Sequence, residues 1–289
     1  MLPETAFDGR VAKIMKRIGK LEDDEVVRAF NLLENLRRLV ASRIVETEWD
    51  AHFVPQLQEA ISRAVAGFGG QYEGQLTSGM REMIDAGIDA VDWPLASAGI
   101  KVSAPEISRT ALELLQGHSI VLARGLTDDL GRKLNYEVSM GVLGGKTPFE
   151  VMTSIGRNLT DRGVFPSIAA RAEAITRTEM ARIHSNAREA RMESVIAANP
   201  DRKWLKKWIH SKKKGQPRSS HVALNGVMVK VTEDFPGGRP YPHAPGLSAS
   251  ETVHCGCSHV LTLAEWEKLP KDWEPQQYQP RSDALASAA

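Results

Sequence analysis

The residues best suited to chemistry crowd into the last third of the chain. His221, His243, His254, Cys255, Cys257 and His259 all lie between positions 221 and 259. They offer imidazole nitrogen and thiolate sulfur, the donors that zinc prefers. In extended backbone alternate residues share a side, so positions 255, 257 and 259 face one way and both thiols can meet His221. His221, Cys255 and Cys257 are therefore a candidate zinc site. One intervening residue is tighter than the usual spacing of paired zinc cysteines, and the competing reading is a small buried cluster in which the thiols behave as apolar side chains. A disulfide between them would close a small, strained ring.

Enzymatic readings start from the same residues. A nucleophilic cysteine needs a histidine or a helix N-terminus to lower its pKa. His221 or His254 could serve, but no glycine-rich nucleotide loop, serine elbow or paired acidic motif accompanies them. A metal-dependent nuclease built on His221 and Asn225 would draw on the basic stretch just upstream, yet no acidic pair stands ready to hold its divalent ion. The expectation is a protein without a catalytic residue.

That basic stretch is the second feature. Residues 201–220 hold Arg202, Lys203, Lys206, Lys207, Lys212, Lys213, Lys214 and Arg218 against Asp201, eight minus one or +7, in a chain whose net charge is +1. With Trp204 and Trp208 inside it, the stretch could meet DNA phosphates or an acidic protein surface, or simply be a solvated basic loop.

Several elements must position these residues. From Ser167 to Asn199 there is no Pro or Gly, which predicts one long helix. Ile168, Ala172, Ile175, Ile183 and Ala190 line one side of it, and Glu179 and Asn186 share that side. Polar groups on a packing face need partners; here they either tie the helix to backbone of the following β region or belong to a site or an inter-subunit contact. His221 to Val231 reads as a hairpin about Asn225-Gly226, with a Pro/Gly-rich loop from Pro236 to Pro245 and a last strand from about Cys255 to Leu263.

The preceding part reads as helix after helix. Val11, Ile14, Met15 and Ile18 mark one, and Val26, Phe30, Leu33, Val40 and Ile44 a longer second. Pro55, Trp93-Pro94 and Gly99 punctuate the next stretch. Helix-start signals stand at Ser103-Ala104-Pro105-Glu106 and Thr147-Pro148-Phe149-Glu150, the second after Gly144-Gly145. The expected fold is α+β, a mainly helical N-terminal region (1–117) followed by a domain (118–265) in which a long helix packs on a small antiparallel sheet, then an extended tail (266–289).

The 289 residues are 42% hydrophobic and 25% charged, the composition of a soluble globular protein. No stretch approaches the ~18 apolar residues of a membrane span. Glu4 and Asp8 interrupt the place where a secretory signal would run, so a cytoplasm-like compartment is expected.

Taken in order, Arg177-Thr178-Glu179, Asn186, Lys207-Trp208, Arg218-Ser219-Ser220-His221, Leu224-Asn225-Gly226, Phe235 and Cys255-Gly256-Cys257 resemble the pattern of the phage Mu F-like minor head proteins, also called phage head morphogenesis proteins. The resemblance spans roughly residues 120–265. Many members carry an acidic residue just before the Arg-x-x-His segment, where this chain has Lys and Gly, and Asn-Cys-Arg-Cys where it has His254-Cys255-Gly256-Cys257.

The resemblance implies a structural minor head protein of a tailed bacteriophage, acting in head morphogenesis at or near the portal vertex and in packaging or ejection of the genome. Its implied partners are the portal protein, major capsid or scaffold proteins and packaged double-stranded DNA, with several copies in the virion after assembly in the host cytoplasm. It makes Arg177, Glu179, Asn186, Trp208, Arg218, His221, Gly226, Cys255 and Cys257 structural motif positions. Relatives with cysteines at the positions of Arg218 and His221 imply a metal-binding ancestor. Here a fourth ligand would have to come from His243, His254 or His259. The alternative function is a DNA-binding module or metal-dependent nuclease using residues 202–218 and His221.

Overall fold

Among the described residues five long helices precede the strands. In the computed structural model, which describes residues 3–101, 107, 109–160, 167–210 and 218–267, they are α1 (Pro3–Glu46), α2 (Val54–Ser97), α3 (Arg109–Leu143), α4 (Pro148–Thr160) and α5 (Ile168–Ala198). There follow β1 (Trp204–Ile209), the short α6 (Ser219–Ala223), β2 (Met228–Lys230), the single turn α7 (Ala249–Thr252) and β3 (Ser258–Leu263). The strands form an antiparallel sheet in the order β2-β1-β3. The fold is α+β with long helices, as expected.

Sequence signals account for most boundaries. α4 opens on a reciprocal capping box: Glu150 N–H donates to Thr147 Oγ1 (3.3 Å) and Thr147 N–H to Glu150 Oε2 (2.8 Å). α3 closes where Gly145 adopts φ +67° and Lys146 N–H reaches back to Gly141 O. α5 matches the Pro- and Gly-free run. The two expected N-terminal helices are instead one continuous α1, because the glycine between them, Gly19, costs a helix interior only ~1 kcal/mol, less than the packing on either side supplies. The start signal at 103–106 and the tail from 268 lie outside the described residues.

The hairpin expectation is corrected. Residues 219–223 form helix α6, and the strand after Gly226 pairs with β1, with Leu205 opposite Lys230 and Lys207 opposite Met228. Gly226 (φ +82°) still makes the turn, but it joins α6 to β2.

The chain gathers into two compact units, and both draw on segments from either side of residue 117. One comprises residues 1–20, 80–113 and 180–289. In it Met192 and Val195 of α5 share a core with Phe7, Val91, Leu95, Trp204, Val260, Leu261 and Leu263, so the long helix does pack on the sheet. Arg191 clamps Asp92 with two hydrogen bonds of 2.8 and 2.9 Å. The other unit, residues 21–79 and 114–179, has only helices as its described elements. Its interior holds Leu33, Leu76, Leu126, Leu130 and Tyr72, whose hydroxyl bonds Thr176 Oγ1 at 2.9 Å.

Candidate metal centre

Three local devices bring His221 to the cysteines. Arg218 Nη2 donates to Val253 O at 2.7 Å, fastening the start of α6 to the residue after α7. Asn225 Oδ1 accepts from His210 N–H, and Gly226 N–H and Trp208 O pair at 2.9 Å, so α6 lies against β1. His221 then meets Trp208 edge to face, with centroids 5.7 Å apart, and Trp208 meets Phe235 the same way at 5.1 Å. Trp208, Leu224, Val229, Phe235, Cys255 and Cys257 form one buried apolar cluster around the ring.

Inside that cluster His221 Nδ1 lies 3.4 Å from Cys255 Sγ and 3.6 Å from Cys257 Sγ. The three donor atoms all fall within 4.8 Å of one another, and all three residues are buried. A tetrahedral zinc with its usual bond lengths holds its ligand atoms about 3.5–3.8 Å apart. The group could hold a metal with little movement.

The second nitrogen of His221 is also committed. Nε2 lies 2.7 Å from Glu251 Oε2, and Arg239 Nε donates to that same oxygen at 2.8 Å. Arg239 first, and His221 after it, hold the Glu251 carboxyl down at about 2. An ionised carboxylate accepts hydrogen bonds and cannot donate, so His221 Nε2 carries a proton toward it while Nδ1 faces the sulfurs. The Cys255 thiol is protonated in this state: Cys257 beside it, then burial, push it up to about 11. That shift runs opposite to what a cysteine nucleophile requires.

The motif positions divide between the two units. Trp208, Arg218, His221, Gly226, Cys255 and Cys257 build the centre. Asn186 of α5 accepts from the Tyr241 hydroxyl at 2.9 Å and donates to Arg182 O, so its link is to a side chain of the following loop. Arg177 pairs with Asp23, Glu173 and Glu22 at 2.7, 2.9 and 3.3 Å. Glu179 accepts from Ser119 Oγ of α3 at 2.7 Å.

The basic stretch is not a uniform contact surface. Residues 204–209 are strand β1, and Lys206, expected among the contacts, is fully buried, with Nζ donating to Pro240 O at 2.6 Å and pairing with Glu189 at 3.4 Å. Alternation along a strand turns that lysine inward. Lys207 is half-buried and bonded to Glu267 at 2.8 Å, whereas Arg202 and Lys203 are exposed. Lys212, Lys213 and Lys214 lie outside the described residues.

A second polar constellation escaped the sequence reading. Arg188 and Glu189 of α5, read only as filling a long helix, are buried. Glu189 takes Lys206 and His259 Nε2 (3.0 Å), and burial holds His259 down at about 4. Arg188 reaches Ser258 Oγ, His259 O and His184 Nε2, and burial pulls its guanidinium below its usual value. Glu251 and Arg239 were also missed as parts of the centre, although Ser248-x-x-Glu251 marks a helix start in the sequence.

No family model matches the chain, and no solved structure does. Over 76 residues it is 40% identical to YqbB of Bacillus subtilis (strain 168), an uncharacterized protein; the match covers 22% of this chain and 25% of that one. The chain thus spans about a quarter of that relative's length. No helix among the described residues is long and apolar enough to cross a membrane.

Proposed function

We propose that this protein is a structural minor head protein of a tailed bacteriophage, working in head assembly at or near the portal vertex and catalysing no reaction, and that His221, Cys255 and Cys257 take zinc as a structural ion. The observation that carries the reading is what becomes of the motif. Trp208, His221, Phe235, Cys255 and Cys257 are buried against one another, with Arg218 and Gly226 as the backbone ties that hold them. A motif spent on internal framework suits a building part better than an enzyme, whose distinctive residues line an accessible pocket.

Zinc is the ion that two thiolates and an imidazole favour in a dry tetrahedral setting. The partners in this reading are the portal, the capsid or scaffold proteins and packaged double-stranded DNA, with several copies per particle. Arg202 and Lys203 are exposed cations that DNA or an acidic inner surface would meet.

The test is genetic and biochemical. Purified, nuclease-treated heads of the encoding phage should contain the chain, and deleting its gene should yield defective or non-infectious particles. Full infectious titre without it refutes the proposal.

A further inference from the structure

The centre offers three ligands, and structural zinc sites close with four. Of the three other histidines near the cysteines, His254 is exposed with φ +55°. His259 has its ring held by Glu189 at 3.0 Å and stacked on Tyr241 at 5.4 Å. Glu251 cannot substitute, since its two oxygens already serve Arg239 and His221.

His243 is different. It is 2% exposed, and its Nε2 lies 3.0 Å from the carbonyl oxygen of Cys255. Its Nδ1 is buried with no hydrogen-bond partner. Leaving a buried ring nitrogen unpaired is unfavourable. The residue also holds φ +62°, a left-handed conformation uncommon for a side chain of this size, which fixes where the ring can lie. With Nε2 donating to a backbone carbonyl, Nδ1 carries the lone pair, as in many metal-binding imidazoles; the ring stands outside the group of donors that lie within 4.8 Å of one another and must swing toward them to ligate.

We infer that His243 is the fourth ligand, closing a Cys2His2 zinc site with His221, Cys255 and Cys257. This rests on the metal reading above. The ion then joins α6, the loop before α7 and the approach to β3. These segments have little regular secondary structure of their own, so the metal serves as a staple whose binding energy adds to stability.

The test uses the full chain purified under reducing, chelator-free conditions from zinc-supplemented medium. Elemental analysis should find about one zinc per chain, and X-ray absorption on the unmodified protein should show two sulfur ligands and two imidazoles. His243→Ala should keep both sulfurs, lose one imidazole and weaken zinc in chelator competition by more than the ~10–100-fold that loss of an orienting partner costs. His243→Asn, which tolerates the left-handed backbone, should do the same if the alanine variant folds poorly, and His254→Ala should change nothing. About one zinc with a single imidazole, or affinity unchanged in both His243 variants, overturns His243 while leaving the three-residue group standing. Less than about 0.2 equivalents of zinc overturns the metal reading itself.

Discussion

Glu251 and His221 form a carboxylate–imidazole pair, Oε2 to Nε2 at 2.7 Å, on the side of the ring away from the two sulfurs. The carboxylate chooses which nitrogen keeps the proton, and Arg239 keeps the carboxylate ionised. Glu251→Gln can still accept one hydrogen bond but carries no charge and no longer dictates the tautomer. Zinc affinity should fall ~10–100-fold with stoichiometry unchanged. Competition against a chromophoric chelator measures it, and equal affinity would show that Glu251 serves Arg239 alone.

Lys206 separates a packing role from a DNA-contact role. With side-chain exposures of 0% and 3%, Lys206 and Glu189 are a buried pair, and removing one member of such a pair costs ~3–5 kcal/mol, offset in part here by the bond to His259 that Glu189 keeps. Lys206→Met should lower the urea midpoint strongly. Arg202→Glu with Lys203→Glu should leave that midpoint nearly unchanged and weaken salt-dependent duplex binding, if the chain binds DNA. A stable Lys206→Met protein with weakened DNA binding would reverse this assignment.

Periodicity and caps made the helices legible. The Pro- and Gly-free run became α5, and Thr147 to Glu150 became the capping box of α4, since both signals act within a few residues of chain. Cys255, Cys257 and His221 were legible as a group because donor type restricts the choices. Lys206 and Glu251 were not. One looks like any member of a charge run until strand pairing turns it inward, and the other gains meaning only when His221, 30 positions away, arrives beside it. The hairpin failed for a related reason. Asn225-Gly226 specifies a turn but not the element that enters it, and β1, nearly twenty residues upstream of β2, took the pairing.

Gly87 sets how closely two helices approach within one unit. A Cβ placed there would lie 2.7 Å from His184 O, 2.9 Å from Ala187 Cβ and 3.2 Å from Arg188 N, mostly backbone atoms that cannot rotate aside. Alanine gains about 1 kcal/mol of helix propensity, against ~1–3 kcal/mol for overpacking a tight contact. Gly87→Ala should therefore be destabilising by up to ~2 kcal/mol on denaturant unfolding. Gly67→Ala, with nothing within 4 Å of its added carbon, should be stabilising. Stabilisation at both positions would mean the α2–α5 contact yields freely.

His184 predicts the direction of acid sensitivity. Burial first, then the charge of Arg188 and the neighbouring His259 and His243, hold its pKa well below 6.5. Arg188 Nη2, a donor only, approaches His184 Nε2 at 3.0 Å, so that nitrogen must accept and the ring is neutral. The unfolded chain takes up this proton below pH 6.5 while the folded chain does not, so the unfolded state binds more protons. Stability from this group is complete above 6.5 and declines as pH falls through it, at up to ~1.4 kcal/mol per pH unit. His184→Gln can still accept from Arg188 through its amide oxygen but does not titrate. Urea midpoints recorded across this range should fall less steeply for the variant than for the parent. Parallel slopes would mean that His184 gains its proton in the folded state as readily as in the unfolded one, and that the guanidinium beside it moves aside.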